Sequence, residues 1–147
     1  MQGVRAMEYP IYEAKKNLSY ILHEAGEHLK LLPIKNAQRH DATRIWVVGE
    51  PVIETILEGL RCTPEWEEDG EQGLWTVYIP ELDIWGQGKT RAAAADDLVT
   101  AALDYAAVYA EDVPFYLQVG RKHHLPYIWR LLLLGKEREK VKEFLGV

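Results

Sequence analysis

Gly86-Gln87-Gly88-Lys89-Thr90 comes nearest in this chain to a nucleotide-binding loop, because glycine amides and a lysine at a helix start can cradle phosphates. The spacing is incomplete: a Walker loop needs a glycine five residues before Gly88, and Asp83 stands there, with a charge that repels phosphate. The stretch reads instead as a turn whose glycines supply positive φ ahead of a helix capped by Thr90. His123 and His124 are adjacent, lack the helical i, i+4 spacing of a metal-binding pair and have no Asp or Glu within several residues. His23 and His28 lie five apart across an expected helix end and are not expected to share a face. Neighbouring carboxylates such as Glu67-Glu68 and Asp96-Asp97 point apart, so no general acid/base pair forms from them. Cys62, the only cysteine, cannot form an intrachain disulfide or a four-cysteine metal site and reads as a small, half-buried apolar side chain. No enzyme, cofactor or metal is expected from these residues.

Charge points toward macromolecular partners. Residues 1–50 hold seven Lys/Arg against six Asp/Glu, residues 51–120 three against fourteen, and residues 121–147 seven against three. The middle therefore carries −11 within a net −6. Such a segment repels phosphates and attracts a basic partner over roughly a Debye length of ~8–10 Å, or else serves as a solvated acidic face. Any nucleic-acid contact falls to the ends. Lys15 and Lys16, at an expected helix start, are suited to a phosphate backbone, with Asn17 positioned to reach a base edge; Arg39 and Arg44 can add phosphate contacts from a hairpin. One such module makes few contacts, so DNA binding implies a symmetric dimer.

The elements that must position these residues follow from periodicity. Ala14, Leu18, Ile21 and Ala25 repeat on one face of a helix over 13–25, with Gly26 placed to end it. Leu29 to Lys35 and Thr43 to Val48 read as strands of a hairpin across a polar turn. Pro51 opens a further helix whose apolar positions are Val52, Ile53, Ile56, Leu57 and Leu60. Residues 61–73 form a strand and turn returning into Leu74 to Ile79, where Trp75, Val77 and Ile79 share one face and Leu74, Thr76 and Tyr78 the other. Pro80 ends that strand. Arg91 to Ala110 contains no Gly or Pro and predicts one long helix with Leu98, Ala102, Tyr105 and Tyr109 on a single face. Val113 to Val119 has strand composition, and 120–124 make a basic joint. Two helices, Pro126 to Leu134 and Lys136 to Leu145, close the chain. The leucine-rich first of these either packs into the chain's own core or offers a face to a partner, with Tyr127, Trp129 and Arg130 as hot-spot residue types.

Two stretches resemble known families. Glu13-Ala14-Lys15-Lys16-Asn17-Leu18-Ser19, followed by a strand pair and a short helix, resembles the Phd/YefM antitoxins over roughly residues 9–60. The hairpin here is longer, with Arg39, His40 and Arg44 toward its tip. Leu74 to Tyr109 resembles the HicB antitoxins, whose members carry a strand, a Pro-Glu-Leu-Pro-Gly turn and a Thr-Xaa-Glu-Glu-Ala helix start; here the turn reads Pro80-Glu81-Leu82-Asp83-Ile84 and Thr90 precedes Arg91-Ala92-Ala93-Ala94.

The resemblance implies an α+β chain with three parts. Residues 1–60 form a Phd/YefM-like dimerising and DNA-binding unit, 61–120 a HicB-like ββα unit, and 121–147 a helical segment for packing or toxin contact. It implies an antitoxin that neutralises a small RNase-type toxin, RelE-like or HicA-like, and represses its own operon as a homodimer or higher homo-oligomer. Glu65, Glu67, Glu68 and Asp69 are the expected acidic toxin contacts, beside Tyr127, Trp129 and Arg130. A stand-alone dimeric scaffold or ligand-binding module with the same architecture is the alternative. The first ten residues lack the apolar core of a signal peptide, and the run 125–134 is about half a bilayer span, so a soluble cytoplasmic protein without membrane attachment is expected.

Overall fold

In the computed structural model, which describes residues 8–35 and 44–147, the chain is α+β, with two three-stranded sheets and seven helices among the described residues. It divides into two units, Met1–Glu58 and Gly59–Val147.

In the first unit, β1 (Tyr9–Pro10) runs into α1 (Ile11–Lys16) and α2 (Leu18–Gly26), followed by β2 (Leu32–Lys35), β3 (Arg44–Val47) and α3 (Glu50–Leu57). The expected hairpin is present: β2 and β3 are antiparallel, pairing Leu32 with Val47 and Lys35 with Arg44. β1 adds a parallel edge to β2, an element the sequence reading lacks. The single helix expected over 13–25 is two. Asn17, at φ −112° and ψ 24°, breaks the run while its side-chain amide donates to Glu13 O at 3.0 Å. Asn forms such local backbone bonds readily, which weakens it inside a helix. Pro51 sits in the first turn of α3, where its missing N–H costs nothing. Among the described residues of this unit Ala14, Ile21, Ala25 and Leu32 are buried together, with Tyr9, Ile34 and Val47 against them, and Ile53 and Leu57 of α3 are also buried.

The second unit begins with a meander of β4 (Glu65–Asp69), β5 (Leu74–Ile79) and β6 (Ile84–Gly88), all antiparallel. α4 (Arg91–Glu111) lies across one face of this sheet, followed by α5 (Val113–Gln118), a 3-10 turn at Lys122–His124, α6 (Leu125–Leu134) and α7 (Arg138–Leu145). Val77 and Ile79 of the sheet, Leu98, Ala102 and Tyr109 of α4, Ile128 and Leu131 of α6, and Val141 and Leu145 of α7 make one continuous buried core. Lys142 of α7 also pairs with Asp96 of α4 at 2.7 Å.

Gly86-Gln87-Gly88 is strand and not turn: Gly86 pairs with Val77 and Gly88 with Trp75. Neither glycine has a positive φ. They are required because α4 lies directly on the sheet at this point. A Cβ on Gly86 would stand 2.4 Å from Ala94 O and from Leu98 N, and one on Gly88 2.6 Å from Ala94 N. Glycine here permits backbone contact. The Thr90 cap is as expected, its hydroxyl accepting from Ala93 N at 3.1 Å. The expectation of a strand over Val113–Val119 is overturned: α5 is a helix, opened by Asp112, whose carboxylate accepts from Phe115 N, with Pro114 in the first turn. A cap followed by proline outweighs the β-branched and aromatic composition, and Tyr116 stacks on Tyr109 with centroids 4.5 Å apart.

Candidate partner-binding face

The second sheet is covered on one side by α4 and open on the other, so alternation along β4 to β6 determines which side chains can meet a partner. Val77 and Ile79 point to the helix. Thr76, Tyr78, Glu65, Glu67, Trp85 and Gln87 therefore stand on the open face, where Tyr78 is cross-strand neighbour to both Glu65 and Trp85, and Thr76 to both Glu67 and Gln87. Glu65, Glu67, Thr76 and Tyr78, with the edge of Trp66, line a shallow groove on this surface. Gln87 Nε2 donates to Thr76 Oγ1 at 3.3 Å, and the Tyr78 and Trp85 rings lie 6.4 Å apart. Trp85 is 57% exposed.

Three of the four expected acidic contacts, Glu65, Glu67 and Asp69, share this face. Glu68 does not: it pairs with Trp75 and belongs to the helix side, where the Arg91 guanidinium sits 4.3 Å from the Trp66 ring centroid and 5.4 Å from that of Trp75. Local sequence does not single out Trp85 and Gln87, because the two glycines around Gln87 have turn composition; the alternation of Leu74, Thr76 and Tyr78 carries part of the signal. The face is held by its hairpin. Asp83, at φ 52°, accepts from the Tyr78 hydroxyl at 3.0 Å and pairs with Arg121 at 3.3 Å. The Asp83 carboxylate, then partial burial, raises the Tyr78 hydroxyl above its ordinary value, so it remains a neutral donor. At the β6 edge Gln87 N donates to Asp97 Oδ2 at 2.8 Å, fastening the strand to α4.

The expected aromatic anchor is divided. Tyr127 is half-buried against Phe144, Trp129 is exposed elsewhere on α6, and Arg130 lines a cleft with Arg61 and Lys140. The leucine-rich helix packs on the core through Ile128 and Leu131 and leaves Trp129 and Leu132 in solvent.

Of the expected DNA contacts, Lys15 and Lys16 fall in the last turn of α1 and not at a helix start, and Asn17 spends its amide on Glu13 O. Lys16 Nζ lies 3.0 Å from the Tyr12 hydroxyl. Arg44 Nε donates to Glu8 Oε1 at 2.9 Å. Arg39, like His40, lies outside the described residues. Against expectation, the His23 and His28 rings meet edge to face at 5.2 Å, because the chain turns back after α2. No metal-binding group of three His, Cys, Asp or Glu residues occurs among the described residues. Cys62 is more buried than expected, and burial, reinforced by Glu81, pushes its thiol up to about 12, which leaves it protonated and unreactive. No helix among the described residues is long and apolar enough to cross a membrane.

Among curated proteins there is no significant match to this chain. A solved structure from Syntrophomonas wolfei subsp. wolfei, described as the antitoxin part of a proposed toxin/antitoxin system, is 24% identical; the likeness covers 94% of this chain and 95% of that one at a TM-score of 0.75, which establishes a shared fold. The PHD-like family model, described as antitoxin of toxin-antitoxin, RelE / RelB, TA system, matches residues 6–146. With nearly its whole length inside that match, the chain belongs to the PHD-like family of antitoxins.

Proposed function

We propose that this antitoxin neutralises a small basic RNase-type toxin, RelE-like or HicA-like, by direct binding through the open face of its second sheet. The observation that carries the reading is the convergence of Glu65, Glu67 and Asp69 with Tyr78 and Trp85 on a surface left uncovered by α4. A toxin that grips RNA must present cations, and an acidic, aromatic face complements them in charge and in hot-spot residue type. Inhibition is steric. The two units are the proposed counterparts of Phd/YefM and HicB, with 121–147 completing the second.

The same reading makes the first unit a homodimerising operator-binding module. Tyr12, Leu18, Tyr20, Leu22, Trp46 and Ile56 are exposed over a thin core, a pattern that supports a subunit interface. Lys15, Lys16 and Arg44, with Arg39, supply the cations for operator phosphates. The N-terminal charge balance of +1 means that this DNA contact is local and geometric, not a bulk field.

The test uses the product of the open reading frame beside this gene as the toxin. Replacing Glu65, Glu67 and Asp69 together by lysine should abolish rescue of toxin-arrested growth and raise the toxin Kd by at least about a hundredfold at low salt. Glu68→Lys, on the opposite face, should change it little. Undiminished rescue by the triple variant would move the toxin interface off the sheet. For the operator, Lys15→Ala with Lys16→Ala should lower the slope of log K against log salt by about two; an unchanged slope would exclude these lysines from the DNA surface.

A further inference from the structure

In the order β4-β5-β6 the outer strands of the second sheet are β4 and β6, and the chain treats these two edges differently. At β6 the Gln87 N–H turns away from β5 and donates to Asp97 Oδ2 at 2.8 Å, so a carboxylate of α4 occupies that edge. The same bond fixes the direction of the other backbone groups in the sheet. Gln87 stands opposite Thr76, and a residue whose N–H leaves the ladder belongs to a non-hydrogen-bonded pair. Thr76 therefore directs its N–H and C=O toward β4, where it meets Glu67, and Tyr78 does the same toward Glu65. By alternation the N–H and C=O of Trp66 and Glu68 point outward, away from β5. Pro64 has no N–H, so this outward row of donors begins at Trp66.

Among the described residues no strand of the second unit pairs with that row. Glu65, Glu67, Glu68 and Asp69 are exposed and Trp66 is half-buried. Unpaired donors and acceptors at strand spacing are what an incoming extended segment uses to join a sheet. Charge selects the occupant. On the open face an added strand would have Glu65, Glu67 and Asp69 as its cross-strand neighbours, which calls for Lys or Arg at every second position. Its intervening side chains would lie beside Trp66, whose ring already carries the Arg91 guanidinium at 4.3 Å, and are best uncharged or apolar. A second copy of β4 would set like charges opposite one another and is disfavoured. We propose that a basic extended segment of the toxin adds to β4 as a fourth strand, with its cations over the open face. This deepens the toxin-binding reading given above and rests on it.

The test uses the full chain and the product of the neighbouring open reading frame. Amide hydrogen exchange is followed by NMR in the isolated chain and in the complex. Exchange at Trp66 and Glu68 should slow by at least about tenfold on binding, whereas Glu65 and Glu67, already bonded to β5, are protected in both states. Glu68→Pro removes an outward N–H without touching a bond to β5, and should weaken toxin binding about ten- to a hundredfold because a partner carbonyl is left without its donor. Glu68→Lys keeps the N–H and places its charge on the helix side, so its affinity should change little. Retained protection of Thr76 and Tyr78 shows that Glu68→Pro has folded; if it has not, the wild-type exchange pattern decides by itself. Unchanged exchange at Trp66 and Glu68, in a complex that the triple lysine variant cannot form, would overturn the added strand and leave the face contact standing. Full affinity in the triple variant would instead remove the face reading, and the added strand with it.

Discussion

Gly86 shows how a single residue can be misread by type and understood only by contact. Its absent side chain is the space occupied by the α4 backbone, with Ala94 O and Leu98 N each 2.4 Å from where a Cβ would be. Gly86→Ala must lift helix from sheet and is expected to cost about 2–4 kcal/mol, read as a lowered midpoint in urea unfolding. His124 is the other residue whose chemistry comes from its surroundings. It is buried at the 3-10 turn, with Nδ1 2.7 Å from the Tyr105 hydroxyl. Burial, then the nearby His123 and Arg121 charges, brings its imidazole down from 6.5 to about 4. Between those values the unfolded chain binds a proton that the folded chain refuses. Stability is therefore full above about pH 6.5 and falls as the pH drops toward 4, by about 3 kcal/mol for this group. His124→Phe should flatten the dependence of unfolding free energy on pH across that window, whatever its effect at neutral pH.

At the scale of elements, helix starts carry much of the local information. Thr90 caps α4 through Ala93 N, and Thr90→Ala should cost about 1 kcal/mol in unfolding free energy. Asp112 has the harder task, since α5 is only six residues long and too short to persist without its cap and its stacking on α4. Asp112→Ala is expected to raise amide exchange at Phe115 to Gln118 markedly while α4 and β5 retain their protection. Strand β4 shows the same economy in another form: four of its five residues are acidic, and alternation sends Glu65, Glu67 and Asp69 to the open face and Glu68 to the other. A charged edge strand resists pairing with its own kind while remaining open to a basic partner.

For the whole molecule, the two units differ in what they bury. The second has a continuous core shared by its sheet and helices α4, α6 and α7, whereas among the described residues of the first a cluster of four, with Ile53 and Leu57, is buried beneath many exposed apolar side chains, including Ile56 at 70% exposure. The proposed homodimer follows from that contrast. Sedimentation velocity should show a dimer at micromolar concentration, and Leu22→Lys with Trp46→Lys should yield monomers; monomeric wild type at high concentration would remove dimerisation from the proposal. The charge distribution belongs to this scale too: −11 over residues 51–120 appears on the surface partly as the open sheet face, and +4 over residues 121–147 partly as Arg130 and Lys140 in the cleft they line with Arg61.

Much of this was legible in local patterns. The hairpin of β2 and β3, the alternation of β5, the Thr90 cap, the uninterrupted α4 and the paired C-terminal helices all follow from periodicities of two or 3.6 residues, which depend only on neighbours along the chain. The Glu13 to Ser19 and Leu74 to Tyr109 segments likewise carried the resemblance to antitoxins. Tertiary structure decided the rest, because the deciding atoms are distant in sequence. Gly86 and Gly88 became strand through pairing with β5 and contact with α4, and α5 became helix when its cap combined with stacking on Tyr109. Trp129 was separated from Tyr127 and Arg130 by its direction around α6: positions 127 and 130, three apart, both meet Phe144, while 129 projects from another side into solvent. Trp85 joined Tyr78 only when the meander closed, and Arg61 met Arg130 and Lys140 only when α7 packed beside the segment before β4.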